Sequence, residues 1–506
     1  MSAERKIASA LISVFDKTGL EPIICRLAEM GVEILSTGGT ADFIRKHGVE
    51  VKDVSDLTTY PSIFGGRVKT LHPIVFGGIL YRRELEGDRN EAAEYKIPSI
   101  DLVIVDLYPF EDAMKKTYEE QQIIEKIDIG GISLIRAAAK NYKDVLIVPS
   151  REYYDDVLEV LNKGGSTLEQ RKLFAARAFD ISSHYDSAIF NWFNRDNSVD
   201  SMKMSLRNGR LLRYGENPHQ SAKFYGELNE NLEQLNGKEL SYNNFQDISG
   251  ALDLISEFEQ GACVIVKHSN ACGLALREKT VDAWTNALAA DPVSAFGGII
   301  AFNRALDYET CEKISEIFFE VLIAPDFDEK GLELLKKKKN RIVLKLKKLP
   351  IADNVIKTTQ LGVLVQENDR ISLDSTGWEL KAGPEADEKI MNDSEIAMRI
   401  VKHLKSNAVV LVRNSMMIGA GNGQTNRVDA VKQSIEKAQK FELEIDGAVL
   451  GSDAFFPFAD SVELAFNAGV KVVVEPGGSV RDDETIEFCK KNNITLLFTG
   501  SRHFKH

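Results

Sequence analysis

The chain has 506 residues, more than a single ordinary core organises, so two or three domains are expected. Hydrophobic residues make up 43% and charged residues 27%, the balance of a soluble globular enzyme. Acidic side chains outnumber basic ones 76 to 63, and the net charge of -13 speaks against a protein that wraps nucleic acid; a phosphate-bearing ligand must be held by local Lys, Arg and backbone N–H groups.

The first 60 residues read as two strand–turn–helix units. A strand is expected over 7–15, then a helix capped by Asp16, with Leu20, Ile23, Ile24 and Leu27 on one face and Gly31 at its end. A strand over 32–35 leads through Ser36-Thr37-Gly38-Gly39 to a helix capped by Thr40 and closed at Gly48. Such alternation predicts a parallel sheet with covering helices and a ligand at the carboxyl ends of the strands. Further strands are expected over 102–105 and 145–148, then a helix bearing Phe174, Ala178, Ile181 and Tyr185. The polar stretch 194–200 reads as a linker. Beyond it, strands are expected over 263–266, 299–302, 408–412, 448–450, 472–474 and 495–498, with helices opened by Asn426 and by Asp460 paired with Glu463. No fixed-period repeat stands out. The run Lys336–Lys339 reads either as a solvated face or as a contact for a phosphate or folate tail.

No apolar run approaches the ~18 residues of a membrane helix, and the run over 10–15 is too short for a secretion signal. Cys25, Cys263, Cys272, Cys311 and Cys489 form no CxxC pair, which argues against a disulfide framework and for a reducing cytosol.

Three clusters of small and basic residues follow strands in the first 70 positions: SVFDKT from Ser13, STGGT from Ser36 and GGRVKT from Gly65. Small residues let backbone N–H groups reach an anion, and a following helix N-terminus favours negative charge; turns use the same residues, so the three together carry the expectation of a phosphorylated ligand. Asp128-Ile129-Gly130-Gly131 precedes Arg136 and Lys140. Asp128 and Lys140 stand 12 apart, so they meet Lys69 at one proton-transfer site only if the chain bends at the glycine pair; an ordinary salt bridge is the alternative. Lys267-His268 follows the apolar run 262–266, and a histidine at a strand's end is a candidate general base or a satisfied structural residue. Asn270 stands where a zinc deaminase has its Glu. The spacing in GAGNGQ from Gly419 does not match a dinucleotide loop, and SDAFFPF from Ser452 is either a core plug or a stacking surface.

In order, SVFDKTGL, STGGTA, GGRVKTLHP, DLYPF, IDIGG with RAAAKN, RYGENPHQ, VKHSNACG, DPVSAFGGIIAFN, IAPDF, KSNAVV, GAGNGQTNRVD, SDAFFPF, EPGGSVRD and FTGSRHF resemble the bifunctional AICAR transformylase/IMP cyclohydrolase family from Ser13 to His506. The resemblance implies an α/β fold: a methylglyoxal-synthase-like parallel-sheet domain over 1–195, then a transformylase region over 196–506 made of two cytidine-deaminase-like α/β units, without their zinc, that meet near 360–400. It implies a cytoplasmic homodimer whose transformylase site is formed across subunits. The implied reactions are formyl transfer from 10-formyltetrahydrofolate to AICAR and dehydrative closure of FAICAR to IMP, with no catalytic metal and no nucleic-acid or membrane partner.

The resemblance places the cyclohydrolase substrate's phosphate near Ser13, Lys17, Ser36, Gly38, Gly39, Arg67 and Thr70, with Asp16 and Thr37 also in the substrate site. Lys69, Tyr108, Asp128, Gly130 and Lys140 are implied around the base, with Lys140 handling the proton and Asp128 orienting the amide. For transfer it implies His268 as base, Lys267 and Asn407 at the formyl oxygen, and AICAR held by Arg213, Tyr214, Asn244, Gly297, Glu320, Arg427, Phe455, Arg502 and Phe504. Asp460 and Ser479 are implied near the folate. Two positions depart from the family pattern: Asp106, usually Asn, and Ala271, usually Pro. A carboxylate cannot donate as an amide does, so a chain retaining only the transformylase activity is the alternative; a non-catalytic nucleotide-binding regulator and a zinc deaminase are the remaining rivals.

Overall fold

The computed structural model describes residues 4–61, 63–64, 68–117, 119–350 and 352–506. It divides into two compact units, one ending at Arg207 and the other beginning at Asn208. The stretch 194–207 turns back onto the first unit: Asn191 Nδ2 donates to Lys203 O at 3.0 Å, and Arg207 pairs with Asp180 and Glu152.

The first unit is built on a parallel sheet of β1 (Ser9–Ser13), β2 (Glu33–Ser36), β3 (Lys52–Asp53), β4 (Leu102–Val105) and β5 (Leu146–Val148), in the order β3-β2-β1-β4-β5. β4 and β5 are buried along their whole length, as strands covered on both faces must be. The helix Glu21–Glu29 buries Ile23, Ile24 and Leu27 against this core. The chain runs outward from β1 on one side and then crosses to β4 on the other. The β1–β4 crevice is therefore the topological switch point, where an open α/β sheet takes its ligand.

Three expected caps are corrected. Asp16 does not cap the first helix: Gly19 takes a left-handed φ of 78°, Pro22 sits in the first turn, and the helix starts at Glu21 while Asp16 Oδ1 accepts from Thr18 N at 2.9 Å. Thr40 lies inside the helix Gly38–Lys46, where its Oγ1 donates to Val14 O and accepts from Val14 N, tying two strand-end loops together. Asp460 is the first residue of its helix, entered through Ala459 with no side-chain cap.

The second unit carries two short ribbon strands, β6 (Arg210–Leu211) and β7 (Lys223–Phe224), and then β8 (Leu232–Asn236), β9 (Ala262–Lys267), β10 (Asn270–Leu276), β11 (Ile299–Phe302), β12 (Val321–Ala324) and β13 (Ile342–Leu346). A separate hairpin of β14 (Asn354–Thr359) and β15 (Gly362–Glu367) follows, then β16 (Glu379–Ala382), β17 (Val409–Arg413), β18 (Met416–Gly421), β19 (Val449–Ser452), β20 (Val472–Glu475) and β21 (Thr495–Phe498). Twelve of these form one mixed sheet in the order β16-β21-β20-β19-β17-β18-β10-β9-β11-β12-β13-β8. That order reads the same from both ends, so the unit is a duplicated α/β module. Asp247 and Asp393, His268 and Asn414, Ser269 and Ser415, and Gly273 and Gly419 are each 146 positions apart and play matching roles.

Candidate active sites

In the first unit the expected residues gather at the switch point. Ser13 Oγ lies 3.4 Å from Thr37 Oγ1. Lys17 Nζ donates to Phe15 O at 2.8 Å and stands 3.9 Å from where a side chain on Gly39 would begin. Gly38, at φ 49°, opens the helix Gly38–Lys46, and Gly130 opens the helix Gly130–Lys140 with Thr70 Oγ1 3.2 Å from its would-be Cβ. Two helix N-termini thus open onto one strand-end crevice, an arrangement suited to a phosphate.

Beside it, the exposed rings of Phe15 and Tyr108 meet edge-on at 5.4 Å, with the Lys126 ammonium 5.9 and 5.8 Å from them. Asp128 Oδ1 accepts from Gly131 N at 2.5 Å and Ile132 N at 3.2 Å. Burial raises the Asp128 carboxyl above its usual range, opposed by those N–H groups and by the Lys69 ammonium. Burial, with the Asp128 and Asp106 charges, also raises the Tyr108 phenol.

Some expectations fail on geometry. Ser36 Oγ is buried and donates to Ile12 O at 2.6 Å, so it serves the sheet and not the ligand space. Lys140 does not converge with Asp128, because the helix Gly130–Lys140 runs on through the glycine pair. Its 11 residues span ~16 Å and carry Lys140 towards the amino end of β5, away from the site. Arg67 lies outside the described residues. Arg151, which sequence reasoning did not single out, follows β5 and pairs with Asp16 at the mouth of the crevice.

In the second unit β9, β18, β19, β20 and β21 end, and β10, β11, β12 and β17 begin, along one edge of the sheet. His268 and Ser269 form the two-residue turn between β9 and β10 at φ 51° and 59°, a left-handed pair that normally calls for Asn or Gly. The Asp247 carboxylate holds this turn by accepting from His268 N at 3.3 Å and Ser269 N at 2.7 Å. The imidazole stands exposed beside Lys267, whose Nζ donates to Phe296 O at 2.7 Å. Both line a cleft of about 220 Å³ with Asn270, Asp291, Asn422 and Lys437. The matching turn, between β17 and β18, is held by Asp393 in the same way but carries Asn414, so this module has no imidazole at that position.

Asn407 Nδ2 donates to Gln424 O at 2.9 Å, and its Oδ1 accepts from Arg427 Nη2 at 2.8 Å. Arg427 is buried and paired with Asp453, so its guanidinium supports Asn407 and is not an open nucleotide contact. Asn244 Oδ1 is committed to a capping box with Ser241. Gly297, at φ 72°, donates to Phe318 O at 2.8 Å, and Glu320 pairs with Lys238 at 2.8 Å. Arg213 lies over Tyr214 and Arg502 over Phe504. Phe456 is the buried core plug, leaving Phe455 half-buried, while Ser479 Oγ accepts from Arg481 N at 3.1 Å. Lys336–Lys339 are exposed. The tail carrying Arg502 folds back along this edge, His503 N donating to Asp453 O after β19, six strand spacings or roughly 29 Å from β12, which follows Glu320; that is more than one nucleotide covers.

The AICARFT/IMPCHase bienzyme family model matches residues 138–437, and the MGS-like domain model matches residues 19–133. The bifunctional purine biosynthesis protein PurH of Bacteroides thetaiotaomicron is 52% identical over 513 aligned positions, covering 100% of both chains. The chain belongs to the AICARFT/IMPCHase bienzyme family. The Aquifex aeolicus PurH is 44% identical, covering 98% of this chain and 100% of its own. The solved structure of ForH matches 38% of this chain and 99% of its own at 38% identity, with a TM-score of 0.34.

Both departures from the bienzyme pattern have local explanations. Asp106 accepts from Phe15 N and, at 3.0 Å, from Asp16 N, so it is used purely as an acceptor and shapes the β1 loop; burial raises its carboxyl. Ala271 is buried in β10 and paired with Val266, and the Asp247 clamp supplies rigidity that a proline would otherwise lend.

An acidic position of this bienzyme chain was given no role by the sequence reading. Glu475, at the end of β20, is fully buried; its Oε2 accepts from Phe456 N at 2.6 Å, and Oε1 has no hydrogen-bond partner among the described residues. Burial pushes its carboxyl up to about 8. A folded pKa above the unfolded value means that the stabilising contribution is complete below the unfolded value and is lost as pH rises through about 8. The second unit's thermal midpoint should therefore fall between about pH 5 and pH 9, and Glu475→Gln should remove most of that fall. An unchanged pH slope in the Gln variant would show that Glu475 is not its source.

Proposed function

We propose that the two activities this chain carries, AICAR formyl transfer and IMP cyclohydrolase in purine biosynthesis, reside in separate units. Ring closure belongs to the N-terminal unit, expected over 1–195, and formyl transfer to the region from 196 onward, with 10-formyltetrahydrofolate as the donor. For closure, Ser13, Lys17, Thr37, Gly38, Gly39 and Thr70 hold the phosphate of FAICAR, and Phe15 and Tyr108 flank its base. Nucleophile and electrophile are already in one molecule, so the site fixes a near-attack conformer and moves protons. Asp128 and Lys69 manage the proton as the carboxamide nitrogen bonds to the formyl carbon and water leaves.

For transfer, the AICAR amine is a weak nucleophile because its lone pair is conjugated with the ring. His268 takes its proton as the nitrogen bonds to the formyl carbon. Lys267 and Asn407 face the formyl oxygen as charge develops there. The bond from carbon to the folate nitrogen then breaks, and that nitrogen takes a proton. Arg213, Tyr214, Gly297, Glu320, Phe455, Arg502 and Phe504 are assigned to AICAR, and Asp460 and Ser479 to the folate. The ~29 Å spread of this set supports a homodimer in which two copies complete each transfer site. A cytoplasmic location, with small-molecule partners alone, fits this reading.

The observation that carries the proposal is the single imidazole presented on a carboxylate-held turn beside Lys267 and a cleft, with asparagine at the matching turn. The test is a steady-state assay with AICAR and 10-formyltetrahydrofolate that follows tetrahydrofolate and IMP together. Both products are expected at matching rates; tetrahydrofolate without IMP would favour a transformylase alone.

A further inference from the structure

We propose that Asp453 is a positioning residue for formyl transfer, acting through Asn407; this rests on the assignment of Asn407 to the formyl oxygen. Asp453 follows β19 and is fully buried. Its Oδ2 accepts from Ser406 Oγ at 2.5 Å and from Ala408 N at 3.1 Å, the two residues that flank Asn407. Its Oδ1 pairs with the Arg427 guanidinium, which also donates to Ser452 Oγ at 2.9 Å and, through Nη2, to Asn407 Oδ1 at 2.8 Å. The Asp453 carbonyl accepts from His503 N at 2.9 Å, linking the clamp to the tail that carries Arg502 and Phe504.

A carboxamide has one accepting end and one donating end. Arg427 can only donate and Gln424 O can only accept, so together they decide which way the Asn407 amide faces. One Nδ2 hydrogen goes to Gln424 O, and the second is left to meet an oxygen in the site. Turning the amide over would set its NH₂ against the guanidinium. One buried carboxylate thus holds the Ser406 hydroxyl before Asn407, the Ala408 backbone N–H after it and, through Arg427, the aim of the Asn407 side chain. Charge-assisted buried bonds of this kind hold geometry tightly.

The test uses the full chain with Asp453→Asn, Asn407→Ala, the double variant and Ser406→Ala, each assayed for transfer and for closure of supplied FAICAR. Asp453→Asn should lower the transfer kcat by about 10²-fold, with KM for AICAR within about threefold and ring closure unchanged. The double variant should be no slower than Asn407→Ala alone, because the clamp then has nothing to aim. Ser406→Ala removes the bond to Asp453, and the one that Ser406 Oγ accepts from Lys505 N at 3.1 Å, without stranding the guanidinium; it should cost several-fold in kcat, which keeps the test open if Asp453→Asn does not fold. The proposal is overturned if Asp453→Asn lowers the thermal midpoint but not kcat, if the double variant loses the product of the single effects, or if Ser406→Ala leaves kcat unchanged. If Asn407→Ala itself leaves transfer intact, the assignment of Asn407 fails and the relay with it.

Discussion

Replacing His268 by alanine is expected to lower the kcat of formyl transfer by about 10²–10⁴-fold, the usual worth of a positioned general base, while closure of supplied FAICAR stays within about twofold. The turn gives an unusually clean variant. Asn414 occupies the matching turn at φ 54°, held by Asp393 as His268 is held by Asp247, so asparagine fits this backbone. His268→Asn should therefore match the alanine variant in lost transfer and match the parent in thermal stability. Equal loss of both activities, or a transfer defect that tracks unfolding, would remove His268 from the role of base. Parallel kinetics should place the loss in kcat, since the imidazole acts on the proton that leaves during the reaction.

The complementary result is expected at Asp128. Asp128→Asn keeps an oxygen to accept from Gly131 and Ile132 at the start of the helix, so the local fold is retained, but the charge is lost. Ring closure should fall by about 10²–10⁴-fold with transfer intact, and Lys69→Ala should act in the same direction. The pH profile supplies a second readout. Burial raises this carboxyl, so its ionised form is lost on acidification at a higher pH than an ordinary aspartate would require. Closure should decline on the acid side first, and Asp128→Asn should flatten that limb. A parental acid limb in the variant would exclude Asp128 as its source.

Much of this was legible in the residues. The strands over 102–105 and 299–302 match β4 and β11, because uninterrupted apolar runs of four are buried on both faces, and 495–498 matches β21, whose Leu496 and Leu497 are buried. Asn426 caps its helix as expected, its side chain accepting from Asp429 N. The misplaced caps at Asp16, Thr40 and Asp460 share one cause. A polar residue ahead of an apolar face has several nearby backbone partners: Gly19 and Pro22 decided for Asp16, the Val14 backbone for Thr40, and the Ser461 N–H for Asp460. β10 and β18 were not anticipated because their hairpin turns lack the usual Asn-Gly signal; each is held by a carboxylate 21 or 22 positions upstream. The duplication, implied by the resemblance as two cytidine-deaminase-like units, was hidden from the residue pattern because only a few turn and glycine positions keep their identity across the 146-residue offset. Arg151 lies in no motif, and Glu475 opens EPGGSVRD with no role attached to it; only the fold gives them meaning, one through a contact across 135 positions and the other through burial.

The division of labour between the two units is tested most directly by mixing. His268→Asn protein and Asp128→Asn protein should each make almost no IMP from AICAR and 10-formyltetrahydrofolate, yet an equimolar mixture should make it readily, because FAICAR released by one is closed by the other. A mixture as inactive as its components, with both proteins folded, would contradict two separate sites served by His268 and Asp128.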